Sequence, residues 1–459
     1  MQRIRTLQSK YEEKCNLYLN FVTIAILFFT PITARFPDNH TISFLFFLIY
    51  IGVLLRGNYI KYFQMALAHP LTKPFLYFFL IHIIWLIGSE SPKEAVGEWL
   101  KYEYYSLYPL LFFSFIDKRL FAYFLGAFLS GAFLNEILSY MMQFHIIPMQ
   151  YSIHLSIPSI DYEKIKFLYR SFRGDPTPFV EHSATSFMLA VTSAILLINL
   201  FLQKKINWIY LFFFITISIN IFFIQARTGY LLYFLLTAYV VYYFFTHHTK
   251  LSLSIPKELL YIIPVLSLII AIFMYNQDGI FKKRLEVTQE RFAKALQGDL
   301  HATPRLLLVK QAAVAIKDNF PLGVGSGDAL KTLQAYPQNK NTEISSGFIR
   351  DVHNQYLHIL LEYGVIGLLV YLYLLYKIFT YNTTMSQQKY LIKQVVAISM
   401  IYISFLATFW AYVPTIIVML LIITTAQNTT LKQLPAKGKK TTASIVGFIF
   451  LSYIIGTVQ

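Results

Sequence analysis

Cysteine is almost missing from this 459-residue chain, where Cys15 stands alone. An intramolecular disulfide and a cysteine metal site are both excluded. Charge is scarce too, at 14% of residues, and acidic side chains are the scarcer sign, 23 against 39 lysines and arginines. With 56% hydrophobic and 17% aromatic residues, the composition rules out an ordinary soluble globule. What fills the chain is a series of apolar runs separated by short polar links, most of them long enough to cross a hydrocarbon core of about 30 Å as a helix. The runs are continuous and do not alternate, which argues against a closed barrel of strands.

A formal charge of +16 raises nucleic acid as a partner, but in a membrane chain a basic balance is usually topological. With the N-terminus inside, the inside segments carry Arg3, Arg5, Lys10 and Lys14, then Arg56, Lys61 and Lys73, then Lys118, Arg119, Lys204 and Lys205. Lys250, Lys257, Lys377, Lys389, Lys393, Lys432, Lys437, Lys439 and Lys440 continue the pattern, whereas the short outside links hold only Arg35, Lys93 and Lys101. This asymmetry fixes the orientation and removes the need for a nucleic-acid partner; membrane lipids are the expected surroundings. The first run, Leu17 to Ala34, reads as an anchor helix and not as a cleaved signal.

The fold class expected is all-α and polytopic, with about twelve transmembrane helices. Spans are expected near 17–34, 42–55, 74–88, 99–116, 119–145, 182–203, 206–226, 229–246, 258–275, 356–376, 391–410 and 411–426, and 442–457 is either a thirteenth or an interfacial tail. Three regions follow: membrane helices over 1–275 with a short outside loop at 146–181, a large outside loop with helices over 276–355, and membrane helices with a basic tail over 356–459. In the large loop, Thr303-Pro304 supplies a helix cap and first residue. An apolar face is expected there at Leu306, Val309, Ala313 and Ile316, before "PLGVGSGD" closes that helix and opens another at Asp328.

Arg227 leads the candidates for chemistry. It lies in "FFIQARTGYLLYFLL", between two apolar runs with almost no loop, and so at the outer tip of a tight helical hairpin. A lipid-interface anchor and a phosphate-binding fork are equally consistent with that position. Arg305 adds a charge to a helix N-terminus that already favours anions, although a lone loop arginine is more often simply solvated. His353, in "DVHNQYLHILLEYGVIGLL", sits on the turn before a span, where an amphiphile's polar head would lie. Its ordinary pKa near 6.5 suits it to take a hydroxyl proton, against the commoner role of lining a helix entry. Asn354 beside it and His182 at the end of the first outside loop are further candidates. Glu181 shares the place of His182, and Glu136 lies deep in a span, where a carboxyl needs a partner. His358 and Glu362, four residues apart, read as a structural pair. "GVGSG" lacks the lysine and spacing of a phosphate loop and reads as a turn. No outside spacing of histidine and carboxylate resembles a metal site.

Three of these marks together resemble the bacterial O-antigen ligase and polymerase superfamily: "RTGYL" after an apolar span, a loop helix beginning with an arginine and running into "FPLGVGSG", and "HNQYLHILLEYGVIGLL". The resemblance covers about Phe222 to Leu369. It implies a GT-C-type glycosyltransferase of the bacterial inner membrane, active at the periplasmic face, needing neither metal nor other cofactor. It further implies an undecaprenyl-diphosphate-linked glycan as donor and the lipid A core as acceptor. Arg227 and Arg305 would hold the diphosphate, and His353 would activate the acceptor hydroxyl. The chain departs from the polymerase pattern, having no loop arginine followed eleven residues later by glycine, and from the protein-glycosylating pattern, since "PTPFVEH" stands where Gln-Pro-Asn is usual. Ligase is thus favoured by elimination over polymerase or protein O-oligosaccharyltransferase. A transporter or flippase would place its ionisable groups near the midplane, and a scaffold would have no need of the His353 constellation.

Overall fold

The computed structural model describes residues 2–32, 40–146, 176–178, 182–203, 205–224, 226–247, 257–276, 280–297, 304–335, 352–382, 385–407 and 414–432. Every regular element among them is helical. In chain order these are α1 (Gln2–Phe29), α2 (His40–Arg56), α3 (Tyr59–Ala68), α4 (Thr72–Ile84), α5 (Pro92–Tyr102), α6 (Tyr108–Phe112), α7 (Phe121–Gln143), α8 (His182–Leu202) and α9 (Trp208–Phe223). They continue with α10 (Arg227–His247), α11 (Lys257–Asn276), α12 (Ile280–Leu296), α13 (Pro304–Asp318), α14 (Ala329–Ala335), α15 (Gln355–Thr380), α16 (Gln387–Leu406) and α17 (Pro414–Thr425). The run 442–457, most of the loop 146–181 including Glu181, and Thr303 lie outside the described residues.

Among the described residues, six helices are long and apolar enough to cross a membrane unaided: α1, α7, α8, α10, α15 and α16, some with short extensions. Helices α2 and α3 are together apolar enough for a seventh crossing, but they are bent by 118° where Gly57 and Asn58 adopt left-handed backbone, the geometry of a broken span or a re-entrant loop. Four shorter apolar helices fall on other expected spans, Thr72–Ile84, Trp208–Phe223, Val265–Asn276 and Thr415–Thr425. The expected span at 99–116 is not one α-helix, because α5 ends at Tyr102, the backbone tightens to a 3-10 helix over Glu103–Leu107, and α6 starts only at Tyr108. Pro109 contributes no N–H to a helix passing through it, which accounts for a break here that hydropathy does not register.

Helix α8 runs through the middle, with every side chain from Ala184 to Phe201 buried and α9, α10 and α16 packed around it. Its polar residues are served without water. Thr192 donates to the Met188 carbonyl at 2.8 Å and Asn199 to that of Ile195 at 2.9 Å. Folding such groups back on their own helix is the economical solution in lipid, where an unpartnered one costs several kcal/mol. Among the described residues, one end of the bundle carries the buried cations, Arg56 and Lys393. Arg56 donates to Asn16 Oδ1 and the Ser114 carbonyl, both at 3.2 Å, and its guanidinium stacks 3.4 Å from the Tyr62 ring centre. Lys393 donates to the Phe379 and Tyr381 carbonyls at 2.7 and 2.8 Å, closing the C-terminus of α15 as a cation should.

At the opposite end α15 is broken. Gly364 takes φ 61°, ψ −159° in the middle of the helix, so the Leu361 and Glu362 carbonyls and the Val365 amide lose their helical partners. The segment between α13 and α14 supplies replacements. Val324 N donates to the Leu361 carbonyl at 2.8 Å, Gly325 N to that of Glu362 at 3.1 Å, and Val365 N to that of Pro321 at 3.0 Å. The same segment is tied to the end of α4, where Ser326 N meets the Trp85 carbonyl at 3.3 Å and Trp85 Nε1 donates to the Leu322 carbonyl at 2.7 Å. A β-carbon on Gly364 would lie 2.0 Å from the Pro321 carbonyl oxygen.

Gly364→Ala therefore combines left-handed strain with a backbone clash and is expected to destabilise the protein by more than about 1–3 kcal/mol. Melting of the purified protein should show a clear drop against Gly88→Ala, a position with open space around it. Equal melting of the two variants would mean that the break is not a fixed feature.

Candidate functional site

Arg227 is the first residue of α10, separated from the end of α9 at Phe223 by three residues. The turn is tight because its backbone closes on itself, with Ala226 N donating to the Ile224 carbonyl and Gly229 N to that of Ala226, both at 2.9 Å. Tyr230 Oη also reaches the Ile224 carbonyl, at 2.5 Å. Gly229 allows α10 to lie directly on α8, since a β-carbon there would fall 2.3 Å from Ser186 Oγ. Small residues at such crossings are what lets membrane helices approach. His182, the first residue of α8, stands one turn before Ser186. The half-buried Arg227 guanidinium donates through Nη1 to Thr288 Oγ1 of α12 at 2.5 Å.

His353 lies between the buried Val352 and the cap of α15, with its backbone in the left-handed region at φ 52°. Such a conformation in a non-glycine residue points to a constrained position. The constraint is Asn354. Its Oδ1 accepts from Leu357 N at 3.0 Å, capping α15, and its Nδ2 donates to the Phe405 carbonyl of α16 at 3.1 Å. One turn earlier on α16, Tyr402 Oη donates to the Thr228 carbonyl at 2.9 Å. The backbones beside His353 and Arg227 are thus both fastened to the C-terminal end of α16, through residues that stand about 4.5 Å apart along its axis. His182, Arg227 and His353 occupy the same end of the bundle.

Arg305 is exposed in the first turn of α13, which begins at Pro304 as expected. The buried face of that helix is Leu308, Ala312 and Ala315, packed with Val352 and Leu361. The expected face was displaced around the helix: Leu306 is 44% exposed and Ala313 is exposed. Leu308, Ala312 and Ala315 also repeat with helical spacing, but two alanines give a weaker pattern than leucine and valine. This packing brings Arg305 to within one turn of the cluster that holds Val352, the neighbour of His353.

The other candidates sort into structural roles. Asn354, considered for a substrate, spends both ends of its amide on α15 and α16. His358 Nε2 lies 3.5 Å from Glu362 Oε2, the pair that their spacing suggests. Glu362 also accepts from Gly327 N through Oε1 at 3.1 Å. Each amide from Gly323 to Asp328 donates to a protein oxygen, so "GVGSG" is a docking segment with no N–H left for a phosphate. Glu136 is buried on α7, where its neighbours Asn135 and Ser139 bond to the Pro31 and Pro176 carbonyls. Groups of three or more histidine, cysteine or carboxylate residues able to hold a metal are absent among the described residues.

Sequence reasoning passed over Gln355 and Gln311. Both are buried, and neither end of either side-chain amide has a hydrogen-bond partner among the described residues. For Gln355 the signal was available, since it shares a helical face with Ile359 and Glu362, and a glutamine on an inward face needs a reason.

These features define a multi-pass helical membrane protein whose arginine and histidine candidates gather at one end of the bundle. Residues 212–372, from within α9 to within α15, match the family model described as O-antigen ligase. The match takes in Arg227, Arg305 and His353, and over this segment the chain is similar to the O-antigen ligase family. A search of curated proteins found no match to the chain. The family is one of ligase- and polymerase-type membrane enzymes that use lipid-linked glycans and lipid acceptors.

Two neighbouring substitutions separate scaffold from idle capacity. Asn354→Ala removes a helix cap and an interhelical bond and should lower stability by about 1–2 kcal/mol. Gln355→Leu replaces an unpartnered buried amide with an apolar side chain of similar size and should leave melting unchanged or raise it. A melting loss for Gln355→Leu as large as that for Asn354→Ala would show that the amide is engaged in the fold.

Proposed function

We propose that the protein is an O-antigen ligase, transferring a glycan from undecaprenyl diphosphate to a hydroxyl of the lipid A core. The reaction takes place at the periplasmic face of the inner membrane, in a GT-C-type framework of about twelve crossings, and inverts the anomeric centre without a metal. The observation that carries this reading is the joint fastening of the Arg227 and His353 turns, both within the segment that matches the family, to the C-terminal end of α16.

The chemistry follows from the residue types. The acceptor hydroxyl attacks the anomeric carbon as the bond to the diphosphate oxygen breaks in line with it. His353 takes the hydroxyl proton, a contribution of about 10²–10⁴-fold for a positioned base. Negative charge grows on the departing diphosphate, and fixed cations aimed there lower the barrier. Arg227 supplies a planar fork suited to phosphate, and Arg305 a second cation at a helix N-terminus. Thr288 holds Arg227 Nη1 in the free protein and is exchanged for a phosphate oxygen when donor binds. The positive charge-rich loops at the other end of the bundle support an orientation with this end outside.

Deletion of the protein from its host should leave bare lipopolysaccharide core while long polymer accumulates on undecaprenyl diphosphate. Restoring wild-type protein should bring back the ladder on a lipopolysaccharide gel. Arg227→Ala, Arg305→Ala and His353→Ala should not, and Arg227→Lys should rescue poorly because an ammonium cannot make the paired contact. Core bearing a single repeat would identify a polymerase instead. Unchanged lipopolysaccharide would exclude both and direct attention to glycoproteins or transport.

A further inference from the structure

Helix α12 is half docked and half bare. Leu285 packs against the main core, and Thr288, one turn on, bonds to Arg227. The next two positions of the same stripe are Phe292, 60% exposed, and Leu296, 75% exposed. Positions 285, 288, 292 and 296 are spaced by three and four residues and therefore form one face of the helix. That face is closed by protein in its first half and continues uncovered in its second.

The surroundings say what covers it. Helix α11 ends at Asn276, just before α12 begins, and α12 packs against α11 and α9. On α11, Val265, Leu268, Ile269, Ile272 and Phe273 are each more than half exposed. Their helical spacing makes one broad apolar face, the kind that meets acyl chains. Lipid therefore reaches to the end of α11, next to the start of α12. The level is fixed independently, since Thr288 touches the turn where α9 ends and α10 begins. Charge agrees with a lipid surface. Between Lys282 and Lys294 the sequence holds five basic residues and two acidic ones, and a basic helix with a bare apolar face is drawn to anionic headgroups. Glu290 and Lys294, paired at 2.7 Å, lie on the side away from Phe292, where water is expected.

We propose that the second half of α12 lies on the membrane's outer leaflet, with Phe292 and Leu296 sunk among the lipid chains and Glu290 and Lys294 facing water. The helix whose Thr288 holds Arg227 is thereby seated on the lipid surface as well as on the protein. This placement does not depend on the proposed chemistry.

Because Cys15 is the only cysteine, a Cys15→Ser background accepts single spin labels without interference. Labels at Phe292→Cys, Leu296→Cys, Glu290→Cys and Lys294→Cys would be read in the whole protein in nanodiscs of anionic phospholipid. Collision with oxygen, which concentrates in lipid, is compared with collision with a water-soluble nickel chelate. The oxygen-to-nickel ratio should be severalfold higher at 292 and 296 than at 290 and 294, in variants that melt like the parent. Equal ratios at all four positions would overturn the proposal. Shielding of 292 and 296 from both reagents would overturn it too, because it would mean that another protein surface, such as a second copy, covers the stripe.

Discussion

Leu361, Glu362 and Val365 carry backbone groups that their own helix has given up, and the layer at this end of the bundle is built around satisfying them. An orphaned peptide group at a lipid boundary costs several kcal/mol, so a helix broken at Gly364 persists only with a fixed set of replacement partners. Residues 321–325 are those partners. They are held in turn by Trp85 at the end of α4 and by the Glu362 carboxylate, which takes the Gly327 amide. Asp328 extends the attachment by accepting from Glu90 N at 2.7 Å. A polar loop between membrane helices is in this way converted into a rigid bracket, and α13 with Arg305 leaves from one end of it.

The candidate site inherits that rigidity. The first half of α15 is gripped at Gly364 from one side and capped by Asn354 from the other, which leaves His353 on a short constrained link between the cap and the buried Val352. Helix α16 does the remaining work. Tyr402 and Phe405 fasten the turns that carry Arg227 and His353, while between them on α16 Ser404 Oγ lies 2.7 Å from Tyr371 Oη and joins α16 to α15. Preorganised cations and a base are what a transfer away from a charged leaving group requires.

Much of this was legible in the sequence, and most of the parts that were not share a cause. Long apolar runs announced α1, α7, α8, α10, α15 and α16, and the tight loop at "QARTG" announced the Arg227 hairpin. The start of α13 at Pro304 and the His358–Glu362 pair followed from local rules. The break at 99–116 has a local cause in Pro109 that hydropathy does not register. The other failures depended on contacts distant in the chain: the buried face of α13 was set by Val352 and Leu361, some forty residues away or more. The break at Gly364 was read as continuous helix, because its partners are backbone groups of "PLGVG", and backbone partners leave little trace in composition. Asn354 was considered for chemistry because it adjoins His353, yet its amide is consumed by the fold, while Gln355 beside it was overlooked.

The central claim is that Arg227 binds the donor's diphosphate while His353 acts on the acceptor, and equilibrium binding tests it most directly. The purified protein in nanodiscs would be titrated with undecaprenyl-diphosphate-linked glycan in the absence of acceptor. His353→Ala should bind the donor as wild type does while losing turnover when acceptor is added, and Arg227→Ala should bind it at least about tenfold more weakly, the loss of one charge-assisted contact. Wild-type donor affinity in Arg227→Ala, in protein that melts normally, would contradict the account.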